Sequence, residues 1–271
     1  MSSRLCRSCR TPLAHSFVDR GLSPLANSYV PQARARDGEK CYPLHAFVCE
    51  TCFLVQLEEF ESPEHIFSDY AYFSSYSTSW LAHAKAYVDA MIARFGIGAT
   101  GKVVEVASND GYLLQYFVEK GVPVLGVEPA ANVAEVANAR GVPTRAEFFG
   151  AETARRLVAE GHAADLTAAN NVLAHVPDIQ DFVAGFAVLL KPEGVATFEF
   201  PHLLRMIDQV QFDTIYHEHF SYLSLGAVAK VFADNGLRIF DVEELGTHGG
   251  SLRVYACRKD AAHVTGPRVG A

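Results

Sequence analysis

Long hydrophobic runs are missing from this sequence: none of its 271 residues falls in a stretch approaching the roughly 18 consecutive apolar positions that a membrane helix needs. The amino terminus, MSSRLCRSCR, also lacks the apolar core of a secretory leader. A soluble, cytoplasmic chain with no membrane partner is therefore expected. Basic residues are in short supply, with 23 Lys and Arg against 31 Asp and Glu and a net charge of −8. A duplex binder carries the opposite excess, because neutralising phosphates releases counterions. A nucleic-acid polymer is excluded as the expected partner. Repeats and low-complexity tracts are absent, and 49% hydrophobic with 20% charged residues is ordinary globular composition. The length suits one large domain or two smaller ones.

Cysteine is rare over most of the chain and crowded at its start. Cys6, Cys9, Cys41, Cys49 and Cys52 come early, and Cys257 alone lies far beyond them. The first lobe is a series of short apolar pieces broken by turn formers, too small to be held by core burial alone. Within it, FVCETCFLVQLE reads as a hairpin whose turn carries a cysteine pair. Cys6-Arg-Ser-Cys9 and Cys49-Glu-Thr-Cys52 are two C-x2-C knuckles about forty residues apart. Structural zinc takes four thiolates in a tetrahedron, and a turn with two intervening residues brings two sulfurs to one ion. A structural Zn2+ on Cys6, Cys9, Cys49 and Cys52 is expected. Redox dithiols or disulfides are the competing readings. They are disfavoured because neither knuckle opens a helix in a βαβ unit, where a lowered thiol pKa is expected. His15, His45 and Cys41 are left out because one ion needs four ligands. Cys257, in a late strand, is expected to be a small core residue.

Beyond the first lobe the periodicity changes. Apolar residues at three- and four-residue spacing predict a helix over 79–95, stopped by Gly96 and Gly98. Strands are then expected at 102–107, 122–128, 165–171, 194–200, 238–245 and 251–258, with helical stretches between most of them. Gly121, Gly141, Gly161 and Gly236 follow those stretches, where left-handed caps are expected. This alternation predicts an α/β fold: a mostly parallel, doubly wound, Rossmann-like sheet covered on both faces. The expected division is 1–68 for the metal lobe, 69–260 for the sheet domain and 261–271 for a fraying tail.

KVVEVASNDGYLL is a buried strand, a small polar turn and a helix start. A bare βα turn is the bland reading. Glu128, at the end of the next strand with Pro129 after it, stands where doubly wound folds place a ribose-binding acid. The turn is not G-x-G-x-x-G, and a pyrophosphate wants a close, glycine-lined, positive helix end. Glu105-x-Ala107-x-Asn109-x-Gly111 resembles instead the first motif of S-adenosylmethionine-dependent methyltransferases, with Ala and Asn in place of two glycines. The Ala107 methyl is expected to crowd the cofactor slightly. With Glu105 and Asp110, this acidic turn suits a cationic sulfonium. Asn170-Asn171, followed by VLAHVPD, resembles the fourth methyltransferase motif, whose end is where the methyl acceptor sits. His175 in that run is either a partly buried, satisfied histidine or a substrate contact.

The densest polar run is Tyr216-His217-Glu218-His219-Phe220-Ser221-Tyr222. It is not H-E-x-x-H, and two residues do not place His217 and His219 on one helix face as zinc ligands. Imidazole suits proton abstraction near neutral pH; a polar helix-capping turn is the bland alternative. A tyrosine cluster, Asp69-Tyr70-Ala71-Tyr72-Phe73-Ser74-Ser75-Tyr76-Ser77, suits either interface packing or donation to an enolate oxygen.

C-x2-C…C-x2-C, DYAYFSSYS, VASNDGYLL, GVEP, NNVLAHVPD, YHEHFSYLS and THGGSLRVYA, in this order, resemble the sugar C-methyltransferase family from Cys6 to about Arg258. The resemblance implies methylation of a carbon in a nucleotide-linked 4-keto-deoxysugar through an enolate. It implies His219 as base, Glu218 orienting it or contacting the sugar, and Tyr216, Tyr70 and His175 as sugar and enolate contacts. The choice among Tyr70, Tyr72 and Tyr76 stays open. For S-adenosylmethionine it implies Glu105, Ala107, Asn109, Asp110, Gly111, Glu128, Pro129, Asn170 and Asn171. Members also carry a carboxy-terminal sugar-binding domain that is expected to be missing here. A methyltransferase acting on oxygen or nitrogen, and a non-catalytic binding protein, are the alternatives, and the oligomeric state stays open.

Overall fold

The computed structural model describes residues 4–67 and 70–270, with the side chain of residue 65 left aside. The expected boundary at 68/69, and Asp69 of the tyrosine cluster, lie outside the described residues.

The first lobe is an antiparallel sheet of β1 (His15–Pro24), β2 (Cys41–Val48) and β3 (Val55–Leu57). Tyr42, Leu44 and Ala46 alternate inward along β2, as a half-buried strand requires. The expected hairpin is present, with Cys49 and Cys52 in the turn between β2 and β3. Each knuckle closes in the same way. The Arg10 N–H donates to Cys6 O at 2.9 Å and the Phe53 N–H to Cys49 O at 2.9 Å, and Arg10 and Phe53 both have left-handed backbone. A short α1 (Pro63–Phe67) ends the lobe.

Helix α2 (Thr78–Phe95) begins at Ser77, whose hydroxyl accepts from the Trp80 N–H, and ends at Gly96 with φ +63°. The alternating elements follow: β4 (Val103–Val106), α3 (Leu114–Glu119), β5 (Val124–Val127), α4 (Ala131–Ala139), β6 (Thr144–Arg145), α5 (Ala151–Ala159) and β7 (Ala164–Asn170). After these come α6 (Ile179–Leu189), β8 (Leu190–Pro201), α7 (Leu203–Asp208), β9 (Ser221–Tyr222), α8 (Leu225–Asp234), β10 (Leu237–Leu245) and β11 (Ser251–Arg258). The four expected turn glycines all have positive φ.

The main sheet has seven strands in the order β10-β11-β8-β7-β4-β5-β6. The pairs from β6 to β8 are parallel, while β11 runs antiparallel to both β8 and β10. All four residues of β4 are buried, consistent with cover on both faces. Strand order reverses between β4 and β7, and the crevice beyond their carboxyl ends is where an open α/β sheet binds ligands. Strand β9 does not join this sheet. It pairs with β3, so the sequence just after His219 completes the sheet of the first lobe.

The segment 261–270, expected to fray, makes contacts with β10. Arg268 pairs with Asp241 at 2.7 Å, the Gly266 N–H donates to Phe240 O, Arg238 donates to the Ala261 and His263 carbonyls, and the His263 ring stacks on Phe240. Its small, polar composition concealed these contacts to β10. Among the described residues no helix is long and apolar enough to cross a membrane.

Candidate active site and metal centre

The four knuckle sulfurs lie within 4.8 Å of one another, with Cys6 Sγ 3.5 Å from Cys52 Sγ and Cys9 Sγ 3.4 Å from Cys49 Sγ. Zinc–sulfur bonds of about 2.3 Å in a tetrahedron put sulfurs about 3.8 Å apart, so the donor set fits one zinc ion. All six cysteines are free thiols. Burial pushes the Cys6 thiol up, against hydrogen bonds that include one donated by Gln56 Nε2 at 3.1 Å. The other candidates face elsewhere: His15 bonds Glu50 at 3.0 Å, His45 meets the Ser16 hydroxyl at 2.7 Å, Cys41 is exposed and Cys257 is buried in β11.

A cavity of about 760 Å³ opens at the carboxyl ends of the parallel strands. On its cofactor side the turn after β4 places Ala107 at φ +57°, Asn109 at +48° and Gly111 at +79°. The two positions where the methyltransferase motif carries glycine thus keep the glycine-like conformation. The cost is about 1 kcal/mol for alanine and less for asparagine, whose short polar side chain tolerates it. Ala107, Asn109, Glu128, Pro129, Asn170 and Asn171 all line the cavity. One Glu128 carboxylate oxygen accepts from the Asn109 N–H and the other from the Ala130 N–H, both at 2.9 Å. Burial raises its pKa against those two bonds. Each oxygen retains a lone pair for a ribose hydroxyl. The Asn170 amide meets the Tyr112 hydroxyl, and Oδ1 of Asn171 is buried without a protein partner. They are suited to the polar amino-acid end of S-adenosylmethionine, and no Lys or Arg lines the cavity among the described residues to meet a phosphate. The residues present fit that cofactor.

Three expected cofactor contacts lie outside the cavity lining. Glu105 is fully buried on β4; burial raises its pKa well above normal, the Tyr112 hydroxyl opposes this, and the charges of Glu128 and Asp110 add to the rise. Asp110 pairs with Arg140 at 2.9 Å and takes the Ser75 hydroxyl. Gly111 is a packing position, since a Cβ there would stand 3.0 Å from Val142.

Elsewhere in the cavity wall, His219 Nδ1 lies 2.8 Å from the Thr214 carbonyl, which fixes its proton there. The lone pair is left on Nε2, 2.9 Å from the Tyr216 hydroxyl, which donates to it. Burial pulls the His219 pKa down to about 4, against the Thr214 bond and helped by nearby His248, so the ring is neutral at pH 7. His175 stands edge-on to it at 4.7 Å, its pKa lowered by burial and by His219. Burial pushes Tyr216 up to about 12 and raises Tyr70, and the Glu218 charge raises both further. His219, Tyr216, Tyr70 and His175 line the cavity.

Glu218 corrects an expectation. It is buried away from the cavity, accepting from Asn27 Nδ2 at 2.7 Å and from the Tyr70 hydroxyl at 3.5 Å. The Thr214 carbonyl, rather than Glu218, orients His219. His217 turns the other way, to the Pro43 carbonyl at 3.1 Å between Tyr42 and Phe60. Of the three tyrosines left open, Tyr70 and Tyr72 line the cavity, while Tyr76 is 79% exposed.

Sequence reasoning missed Asn27, Trp80, Tyr112, Thr214 and His248. His248 sits at φ +52° in THGG, with its ring edge-on to Trp80 at 5.2 Å in the cavity wall. A histidine before two glycines was the available signal. The first lobe also reaches the site. The Leu57 N–H donates to Phe220 O at 3.0 Å, and Arg7, from inside the first knuckle, donates to the Pro177 carbonyl at 2.8 Å.

Residues 6–67 match a family model described as "Putative zinc binding domain" and residues 80–242 one described as "Methyltransferase domain". C-methyltransferase NovU of Streptomyces niveus is 38% identical over 264 residues, which is 97% of this chain and 63% of that relative. The chain thus spans under two thirds of its length. A ubiquinone biosynthesis O-methyltransferase of Bartonella bacilliformis is 28% identical over 95 residues, 35% of this chain and 38% of that protein. Magnesium protoporphyrin IX methyltransferase from Synechocystis PCC 6803, solved with bound SAH, superposes with a TM-score of 0.52 at 15% identity. It covers 66% of this chain and 83% of that one. The PH0226 protein from Pyrococcus horikoshii OT3 gives 0.55 at 15% identity, over 74% and 100%. By model, by sheet order and by cysteine cluster, the chain belongs to the methyltransferase-domain family, with the fold of S-adenosylmethionine-dependent methyltransferases behind an amino-terminal zinc-binding domain.

Proposed function

We propose that the chain transfers a methyl group to a carbon beside the ketone of a nucleotide-linked 4-keto-deoxysugar. The observation that carries this reading is the His219 imidazole, neutral, with its Nδ1 proton held by Thr214 and its Nε2 lone pair on the cavity side, next to two protonated tyrosines. Similarity to a relative named a C-methyltransferase supports carbon as the acceptor atom.

S-adenosylmethionine, when bound, supplies a methyl group on a positively charged sulfur, open to displacement by a nucleophile. Glu128 would hold its ribose and Asn170 and Asn171 its amino-acid end. The acceptor displaces the Tyr216 hydroxyl from Nε2, and His219 takes the proton from the carbon next to the ketone. Negative charge then builds on the ketone oxygen. Tyr216 donates to that oxygen, and Tyr70 does so once its O–H turns from Glu218, since their raised pKa values keep both protonated. The same charge raises the proton affinity of His219 as the reaction needs it. With no Lys or Arg in the described lining, the cavity suits the sugar ring rather than the diphosphate.

Incubation with labelled S-adenosylmethionine and a 4-keto nucleotide sugar in D2O tests this. Label should appear on carbon, and deuterium should wash into the position next to the ketone. Transfer to oxygen or nitrogen without such exchange would overturn the reading.

A further inference from the structure

Residues 70–77 form a strap across the cofactor crevice, and three of them, Tyr70, Tyr72 and Ser74, make cavity wall. Two asparagine side chains hold it, each from both sides of its amide. Asn109 Oδ1 accepts from the Ser74 N–H at 2.8 Å while its Nδ2 donates to Tyr72 O at 3.1 Å. Asn132, on α4, accepts from the Tyr70 N–H at 3.3 Å and donates to Tyr70 O at 2.9 Å. The Ser75 hydroxyl reaches Asp110, and Arg140 bonds both. The strap's far end carries the Tyr70 hydroxyl toward Glu218.

The same Asn109 donates its backbone N–H to Glu128, the carboxylate that faces the ribose. One residue therefore touches the ribose anchor through its backbone and the strap through its side chain. A glycine here would satisfy the backbone at φ +48° more easily, yet would leave the strap without its two bonds. This gives the departure from the glycine motif a physical purpose.

We propose that Asn109 and Asn132 are positioning residues that clamp the 70–77 strap, and that Asn109 couples cofactor occupancy to the placement of Tyr70. The coupling rests on the S-adenosylmethionine reading of the crevice and not on the identity of the acceptor.

Hydrogen exchange of the peptide covering 70–77, followed with and without S-adenosylhomocysteine on the full chain, tests it. In the wild type the ligand should slow exchange there. Asn109→Gly and Asn132→Ala should each speed it about tenfold, the effect of two lost hydrogen bonds on a local opening. Peptides from β4 and β7 should exchange as in the wild type. In Asn109→Gly, ligand still detected by calorimetry should no longer slow the strap, which a merely structural clamp would not explain. Asn132→Asp, able to accept but not to donate, should fall between. Wild-type strap exchange in both alanine and glycine variants, or equal ligand protection in Asn109→Gly and wild type, would overturn the proposal. Failure of S-adenosylhomocysteine to bind the wild type would overturn the crevice reading along with it.

Discussion

The metal lobe and the cofactor lobe hold their polar groups in place by different means. In the cofactor lobe, Glu128 is fixed by backbone N–H groups and Asp110 by Arg140, above a sheet whose own core includes Val103, Leu166 and Val195. The side chains of that half come from one lobe, while Cys6, Cys49 and Cys52 share a core with Val106 and Ala169 beneath it. The acceptor half draws on both lobes. His219 lies in a loop whose next strand, β9, pairs with β3, and Glu218 is met by Asn27 of the first lobe. Leu44, Ala46, Val55 and Leu57 of that lobe pack with Leu203, Met206, Ile215 and Tyr222, which flank the loop. A staple of four thiols thus supports the loop that carries His219 without touching it.

The comparison can be broken at either half. His219→Gln should lower turnover by about 10²- to 10⁴-fold, the range for loss of a general base. Calorimetric affinity for S-adenosylhomocysteine should stay unchanged. Glu128→Ala should do the reverse to the ligand, weakening S-adenosylhomocysteine about 10- to 100-fold as its ribose contacts and two backbone partners are lost. A smaller effect is expected in stability against pH. His219 has a folded pKa of about 4 against 6.5 unfolded. The unfolded chain therefore binds more protons between those values, and stability is full above 6.5 and lost as pH falls toward 4. Melting curves of His219→Gln should show a flatter acid limb than the wild type, with His175 accounting for part of what remains. The smallest effect is expected for Ala107→Gly. Relief of left-handed strain is nearly offset by the extra freedom of glycine in the unfolded chain, so stability should change by about 1 kcal/mol or less.

Local signals were readable in the sequence and long-range ones were not. The paired C-x2-C knuckles, the α2 stop at Gly96 and the alternation from β4 to β8 follow from spacing within a few turns of chain. The place of Glu128 in the cavity wall was legible because it depends on a strand end. Glu105 and Asp110 misled, because an acidic residue in a motif does not say whether it points down into the sheet or out to the ligand. The resemblance implies Glu218 orienting His219 or contacting the sugar, whereas its partners, Asn27 and Tyr70, are distant in sequence. The pairing of Ser221 and Tyr222 with β3 has the same character, since two residues carry no periodicity that announces a strand. His248 and Trp80 meet across the cavity from α2 and from the turn before β11, a contact no local pattern encodes.

The division of the site between lobes is tested most directly by removing the metal. The Cys49→Ser variant, or the wild type stripped by a chelator, should be assayed for turnover and for S-adenosylhomocysteine affinity in one preparation. Turnover is predicted to fall at least about 100-fold, as the loop carrying His219 loses its support, while affinity stays within about threefold. Affinity falling in step with turnover, or turnover surviving without the metal, would contradict the claim that the metal lobe supports the loop carrying His219 and not the cofactor half.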